Sequence, residues 1–254
     1  MSEIKVNSIK GVGATNAAIT VNNSDGTCTA NITNNLSNRN LIINGACLIA
    51  QRGLSSTSSG YGTVDRFMQL PSGTDEAPTF SQADVASGTT PYSLGFRKSF
   101  KIQNGNQTSG AGASDRVRFQ YTVEAQDIAN SGWNYTSASS YITFSFWVKS
   151  SVAQNFYGRL YSFDGTNYAY SFETGSLTAN TWTKVTKTIS GNSNLSFDND
   201  NGSGLMISIG QYIGSDYTTS GHSLDTWAAY NSSSRYPDFT STWYTTNDAT
   251  FEIT

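Results

Sequence analysis

Between Arg116 and Glu124 apolar and polar side chains alternate without a break. Val117, Phe119, Tyr121 and Val123 share one side, and Arg116, Arg118, Gln120 and Thr122 share the other. Extended backbone turns successive side chains to opposite faces, so a period of two predicts a half-buried strand. The period recurs over residues 141–149, where Ile142, Phe144, Phe146 and Val148 alternate with Tyr141, Thr143, Ser145 and Trp147. Residues 157–163 and 168–172 flank Asp164-Gly165-Thr166-Asn167, which reads as a hairpin loop. Further strands are predicted over 182–189, over 205–213 with Leu205, Ile207 and Ile209 inward, and from Phe251 and Ile253 onward. A helical period is confined to 123–130, with Glu124 and Asp127 near its start. Short antiparallel strands at this spacing predict an all-β fold, an antiparallel β-sandwich of the jelly-roll kind. Its expected core is Val117, Phe119, Tyr121, Phe144, Phe146, Val148, Ile207 and Ile209.

The first forty residues follow a different rule. Residues 1–40 hold no Phe, Trp or Tyr. Alternating fragments appear at Ile4 and Val6, at Ile19 and Val21, and at Cys28, Ala30 and Ile32. About forty residues with small aliphatics alone cannot bury enough surface to stand by themselves. Residues 1–40 are therefore expected to be a β-rich segment that oligomerises or docks on another protein, ahead of a sandwich over 41–254. At its start, Leu41, Ile42 and Ile43 are apolar on both faces, as in a buried strand. Asp65 and Arg66, set between Val64 and Phe67, are expected to be partly buried and to fix local geometry. Residues 214–247 have weak periodicity and many Ser, Thr, Tyr and Trp, so they read as a long excursion between strands, where binding often occurs.

Composition narrows the function. Charged residues make up 13 % of the 254, against a usual share of about 25 %, and aromatics reach 13 %. Net charge is −3 with no basic run, which disfavours nucleic acid as a partner. The longest apolar run, 41–50, is interrupted by Asn44 and Gly45 and falls short of the roughly 18 residues of a membrane span. The start MSEIK lacks a basic region followed by an apolar one, so synthesis in a cytosol without membrane insertion is expected, with Cys28 and Cys47 as free thiols.

Several stretches carry a resemblance. The opening SEIKVNSIKG resembles the N-terminal start of phage tail-fibre and other virion proteins. NLIINGACLIAQRG followed by GYGTVDRF, then SYITFSFWVKSS, NTWTKVTKTISG, GLMISIG and LDTWAAYNSSSR, are similar to a carbohydrate-binding-like domain of phage fibres, especially those of marine and cyanobacterial phages. The resemblance implies a jelly roll, a location in the virion, assembly in the bacterial host cytoplasm and a homotrimer. It implies contact with other virion proteins through residues 1–40 and with host cell-surface glycans. Family members continue past a sequence like ATFEIT with a further strand; either that strand is missing here or this is a short member. A tail fibre or fibre-like appendage is the leading expectation. A capsid decoration or head fibre protein and a polysaccharide-degrading enzyme are the rivals.

The candidate chemistry is sparse. His222 is the single His, and Asp225 is the Asp that a Ser-His-Asp site would use. One His and two distant Cys do not make a zinc site. No enzyme activity and no cofactor are expected. Asp198-Asn199-Asp200-Asn201-Gly202 matches the first half of a calcium loop, but Ile209 stands where its closing Glu belongs. Asp198 and Asp200 are thus the metal candidates, for a structural calcium. Aromatic rings stack on pyranose faces while amides bond the hydroxyls. Tyr157, Tyr161, Tyr212 and Tyr230 are available, but Trp133, Tyr135, Tyr217 and Trp227 are the leading glycan-binding candidates.

Overall fold

The alternation along the strands is resolved into two facing sheets in the computed structural model, which describes residues 40–254 throughout and residues 8–10, 12–13, 15, 17–22, 24 and 28–30 before them. The chain divides into two units, Met1–Arg39 and Asn40–Thr254. In the first unit, β1 (Ser8–Ile9), β2 (Ile19–Val21) and β3 (Cys28–Ala30) form an antiparallel three-stranded sheet in that order. The fragments expected at Ile19 and Val21 and at Cys28 and Ala30 lie in β2 and β3. Those at Ile4, Val6 and Ile32 fall outside the described residues.

The second unit holds β4 (Ser55–Ser56), β5 (Phe67–Ser72), β6 (Thr79–Asp84), β7 (Lys98–Gln103), β8 (Arg116–Glu124), β9 (Tyr141–Ser150), β10 (Asn155–Ser162), β11 (Tyr168–Ser176), β12 (Thr183–Ser190), β13 (Ser203–Ile213), β14 (Trp227–Ala229) and β15 (Thr250–Ile253). The first sheet runs β14-β11-β10-β13-β8-β5 and the second β12-β9-β15-β7-β6-β4. Every pairing within them is antiparallel, and the chain passes repeatedly from one sheet to the other, as a jelly roll requires. The expected helical stretch is a single turn, Ala125–Ala129.

Aromatic rings fill the space between the sheets. Phe67 packs against Phe100, Phe119 and Tyr121 with ring centroids 5.4–5.9 Å apart, and Phe156 meets Phe251 edge-on at 4.9 Å. Seven of the eight expected core residues are buried; Phe144 lies at the margin, half-buried against Phe146 and Phe172.

One sequence expectation is corrected here, and two strands are added. Residues 41–43 are not a buried strand: they have no strand pairing, and Ile43 is exposed while its N–H donates to the Tyr121 hydroxyl (2.7 Å). Strands β6 and β7 escaped the apolar pattern. In β7 the adjacent Ser99 and Phe100 are both buried, because the Ser99 hydroxyl donates to the buried Glu252 carboxylate (3.0 Å), so burial there does not follow hydrophobicity.

Strand β13 explains where a site can form. It is buried from Gly204 to Ile213 rather than on alternate residues. The segment 214–248 lies across the outer face of the first sheet: the Tyr236 hydroxyl donates to Ser208 (3.4 Å), and a Cβ at Gly210 would stand 2.9 Å from the Phe239 ring. The predicted excursion thus carries a 3-10 turn (Ser215–Tyr217), β14 and a helical turn (Thr242–Thr245), and it covers the outer side of β13.

Candidate functional site

Strand alternation and register decide which side chains meet under that cover. In β8, Val117, Phe119, Tyr121 and Val123 enter the core, so Arg116 and Arg118 face outward. In β10, Leu160 enters the core and Arg159 faces outward, paired in register with Ser208 of β13 and Ser171 of β11. Arg235 comes from the covering segment. Together they place four arginines at one face of a chain whose net charge is −3.

Tyrosines separate and hold these cations. The guanidinium groups of Arg116 and Arg235 each stand 4.5 Å from the centroid of the Tyr217 ring. Arg159 is surrounded by the rings of Tyr161, Tyr230 and Tyr236, at 5.4, 5.3 and 5.1 Å. A guanidinium over a ring face is attracted by the ring quadrupole, which offsets part of the cost of burial. Arg159 is 4 % exposed, and its Nε and Nη1, like Nε of Arg116, are buried without a hydrogen-bond partner. Arg118 donates to Gln120 (3.3 Å) and Ser208 (3.4 Å), and Arg235 donates to the Ser232 carbonyl (2.7 Å). Burial lowers the Arg118 pKa, and the charges of Arg159, Arg116 and Arg235 add to the lowering.

Beside this cluster opens a pocket of about 300 Å³, walled by Ser171, Thr219, His222, Tyr230, Ser234 and Arg235 among others. His222 spans it, Nε2 to the Ser171 hydroxyl (2.9 Å) and Nδ1 to the Ser234 hydroxyl (3.2 Å). The Ser171 hydroxyl donates to the Arg235 carbonyl (3.2 Å), so it accepts from an Nε2–H, and Nδ1 accepts from Ser234. Burial, helped by the Arg159 charge, pulls the His222 pKa below its ordinary value and favours this neutral ring. Asp225 is engaged elsewhere, with Lys187 (3.1 Å) and the Tyr170 hydroxyl (3.5 Å). Burial first, and then Asp225, pushes the Tyr170 phenol up to about 12. A Ser-His-Asp relay is therefore not assembled at His222. A larger pocket, about 390 Å³, lies where the sheets part around Phe119, Phe144 and Phe146, and its lining is chiefly apolar.

The four leading aromatic candidates are not brought to one place. Trp133 is buried, with Nε1 donating to the Ser140 carbonyl (3.3 Å), and Tyr135 packs beside it, edge-on to Phe197 at 4.9 Å. Trp227 is buried in β14 against Tyr170, with Nε1 donating to the Ser190 carbonyl (2.8 Å). Trp133 and Trp227, two of the glycan-binding candidates, thus have their rings in the core and their polar edges already bonded. Tyr217 lies at the arginine cluster, with two guanidinium groups near its ring. Arg116, Arg118, Arg159 and Arg235 were not singled out from sequence. Their signal was cations inside aromatic-rich, period-two runs in a chain poor in charge.

Asp65 and Arg66 hold separate neighbours. The Asp65 carboxylate accepts from the Gln51 N–H (3.2 Å) and faces Arg52 (3.5 Å). Arg66 has φ +76, faces Glu124 (3.6 Å) and donates to the Thr122 carbonyl (3.4 Å). Asp198 and Asp200 are exposed in a turn, where Asp200 accepts from the Gly202 N–H (2.9 Å). Among the described residues no three His, Cys, Asp or Glu side chains gather as a metal would require. Cys47 is a free thiol that burial pushes up to about 12. No helix among the described residues is long and apolar enough to cross a membrane.

No family model matches the chain, and no curated protein matches its sequence. Among solved structures, it is similar to the enzymatically active domain of tailspike protein 4 of bacteriophage CBA120, at 13 % identity and TM-score 0.40 over 69 % of this chain. The chain spans only 20 % of that protein's length. It is also similar to a family 11 carbohydrate-binding module from Clostridium thermocellum in complex with a β-1,3-1,4-mixed-linked tetrasaccharide, at 11 % identity and TM-score 0.32, over 79 % of this chain and 92 % of that one. The assignment to the antiparallel β-sandwiches rests on this chain's own strand pairing.

Proposed function

We propose that this chain is a structural protein of a phage particle, a tail fibre or fibre-like appendage, that docks through residues 1–40 as a homotrimer and presents its sandwich to host-surface glycans. The observation that carries the reading is the pocket of about 300 Å³ on the covered face, where hydroxyls of Ser171 and Ser234, an aromatic ring of Tyr230 and the Arg235 guanidinium converge. A guanidinium donor and hydroxyl oxygens beside a ring are the groups that read a sugar's edge and face. The sequence resemblance to phage-fibre domains supports the location, and the aromatic-free, β-rich opening supports assembly through residues 1–40. Single glycan contacts are weak, with millimolar dissociation constants near about −4 kcal/mol, and a trimer strengthens them by avidity. The test compares adsorption of intact particles carrying Tyr230→Ala with wild type, after checking that the protein is incorporated. Reduced adsorption is expected. Unchanged adsorption would remove the pocket as a receptor site, and particles lacking the protein from which nothing else is missing would remove the structural role.

A further inference from the structure

The arginine cluster asks for something that a neutral sugar does not supply. Four guanidinium groups meet at one face, yet the ion pairs among the described residues fall to Arg52, Arg66, Lys98, Lys149 and Lys187, and to none of Arg116, Arg118, Arg159 and Arg235. Rings soften the burial of Arg159, but a ring has no lone pair aimed at Nε and Nη1, and these stay unpartnered. A buried cation without a counter-charge is costly, and like charges in one neighbourhood add to that cost. The cheapest remedy for such a face is an anion with several acceptor oxygens, since guanidinium forks bind carboxylate, sulfate or phosphate with paired hydrogen bonds. The pocket beside the cluster adds hydroxyls at Ser171 and Ser234 and the ring of Tyr230.

We infer that the pocket walled by Ser171, His222, Tyr230 and Arg235 binds an acidic saccharide, whose oxyanion is held by Arg235 in the field of Arg159 and Arg116. The inference rests on the glycan-adsorption reading and names its ligand class. The shared chemistry is an oxyanion on a sugar ring, either the carboxylate of a uronic acid or a sulfate ester. Arg159 sets the field from beneath, and Arg235, at the pocket wall, makes the direct contact. His222, with its two ring nitrogens bonded to Ser171 and Ser234, fixes the pocket wall.

Affinity electrophoresis of the full chain through gels holding polygalacturonate, dextran sulfate or neutral dextran tests it. Polygalacturonate or dextran sulfate should retard the chain at least about tenfold more strongly than dextran, the two polymers separating carboxylate from sulfate. Arg235→Gln should weaken that binding by about tenfold, as expected for one lost charge-assisted bond. Arg97→Gln removes the same charge from an exposed position elsewhere and should change it by less than about twofold. Unchanged melting temperatures confirm that the variants fold. Inorganic sulfate should displace the wild-type chain better than chloride at equal ionic strength, a readout that needs no variant. Equal losses in Arg97→Gln and Arg235→Gln, or equal displacement by sulfate and chloride, would reduce the effect to bulk attraction and overturn the site. Binding to neutral glycans with none to the acidic polymers would overturn the acidic ligand and leave glycan adsorption standing. Failure of every saccharide to bind would overturn both.

Discussion

At Phe146 the ring is 6 % exposed and packs against Phe144 and Phe172, with centroids 5.0 and 6.4 Å away. Truncation would leave a cavity that strands on either side cannot close. Phe146→Ala should destabilise the chain by about 3–5 kcal/mol in denaturant unfolding, whereas a loss under about 1 kcal/mol would mean the ring is not in the core. His222 carries a prediction of opposite character. Burial, and then the Arg159 charge, hold its folded pKa below the ordinary 6.5. Above about pH 6.5 both folded and unfolded rings are neutral and the group contributes no pH dependence. As pH falls further the unfolded ring takes up a proton first, so stability is lost until the folded pKa is passed. His222→Gln should shrink the drop in melting temperature between about pH 7.5 and pH 5.5. Equal drops in variant and wild type would show that the ring is not held neutral.

Within single elements, β10 shows how tightly a strand can be committed. Gly158 faces inward, and a Cβ there would stand 2.3 Å from the Phe172 ring. Gly158→Ala should therefore cost about 1–3 kcal/mol by overpacking, read as a lower unfolding midpoint; a neutral result would mean that Phe172 rotates away freely. Elements also show what could be read in advance. Strands β8 and β9 were legible because each buries one face and keeps the other polar, so the period of two survives. Strand β13 was legible at Leu205, Ile207 and Ile209, but the burial of Met206, Ser208 and Gln211 was not. It depends on a covering segment whose placement is set by contacts with Tyr236 and Phe239, far along the chain. Strand β6, with Phe80 as its only buried residue, gave too little pattern to find. The burial of Trp133 was hidden for a related reason: Asn-Ser-Gly-Trp-Asn-Tyr around it has loop composition, yet its indole is drawn into the core. The arginine cluster needs β8, β10 and the covering segment to meet, and no local spacing announces that.

For the molecule as a whole, the division at Arg39 and Asn40 allows each unit to be tested apart. Deleting residues 2–39 should leave the melting transition of the sandwich in place, because its core lies wholly within 40–254. The same deletion should abolish incorporation into particles and convert a trimer to a monomer by light scattering. A truncated chain that still assembles, or a full chain that is monomeric, would refute docking through this segment.

The borders of the two sheets bear on how many copies can share a small area. A bare strand edge is a template on which another chain can lengthen a sheet. Here β4 has two residues, β14 has three, and β5 carries Pro71, which has no N–H to offer. The long border strand, β12, sets Lys184 toward solvent and turns Lys187 inward to Asp225. Charge and brevity leave little for a neighbour to zip onto. Crowded side by side, as subunits of a multivalent surface must be, these molecules would meet through side chains and stay distinct rather than fuse into a shared ribbon.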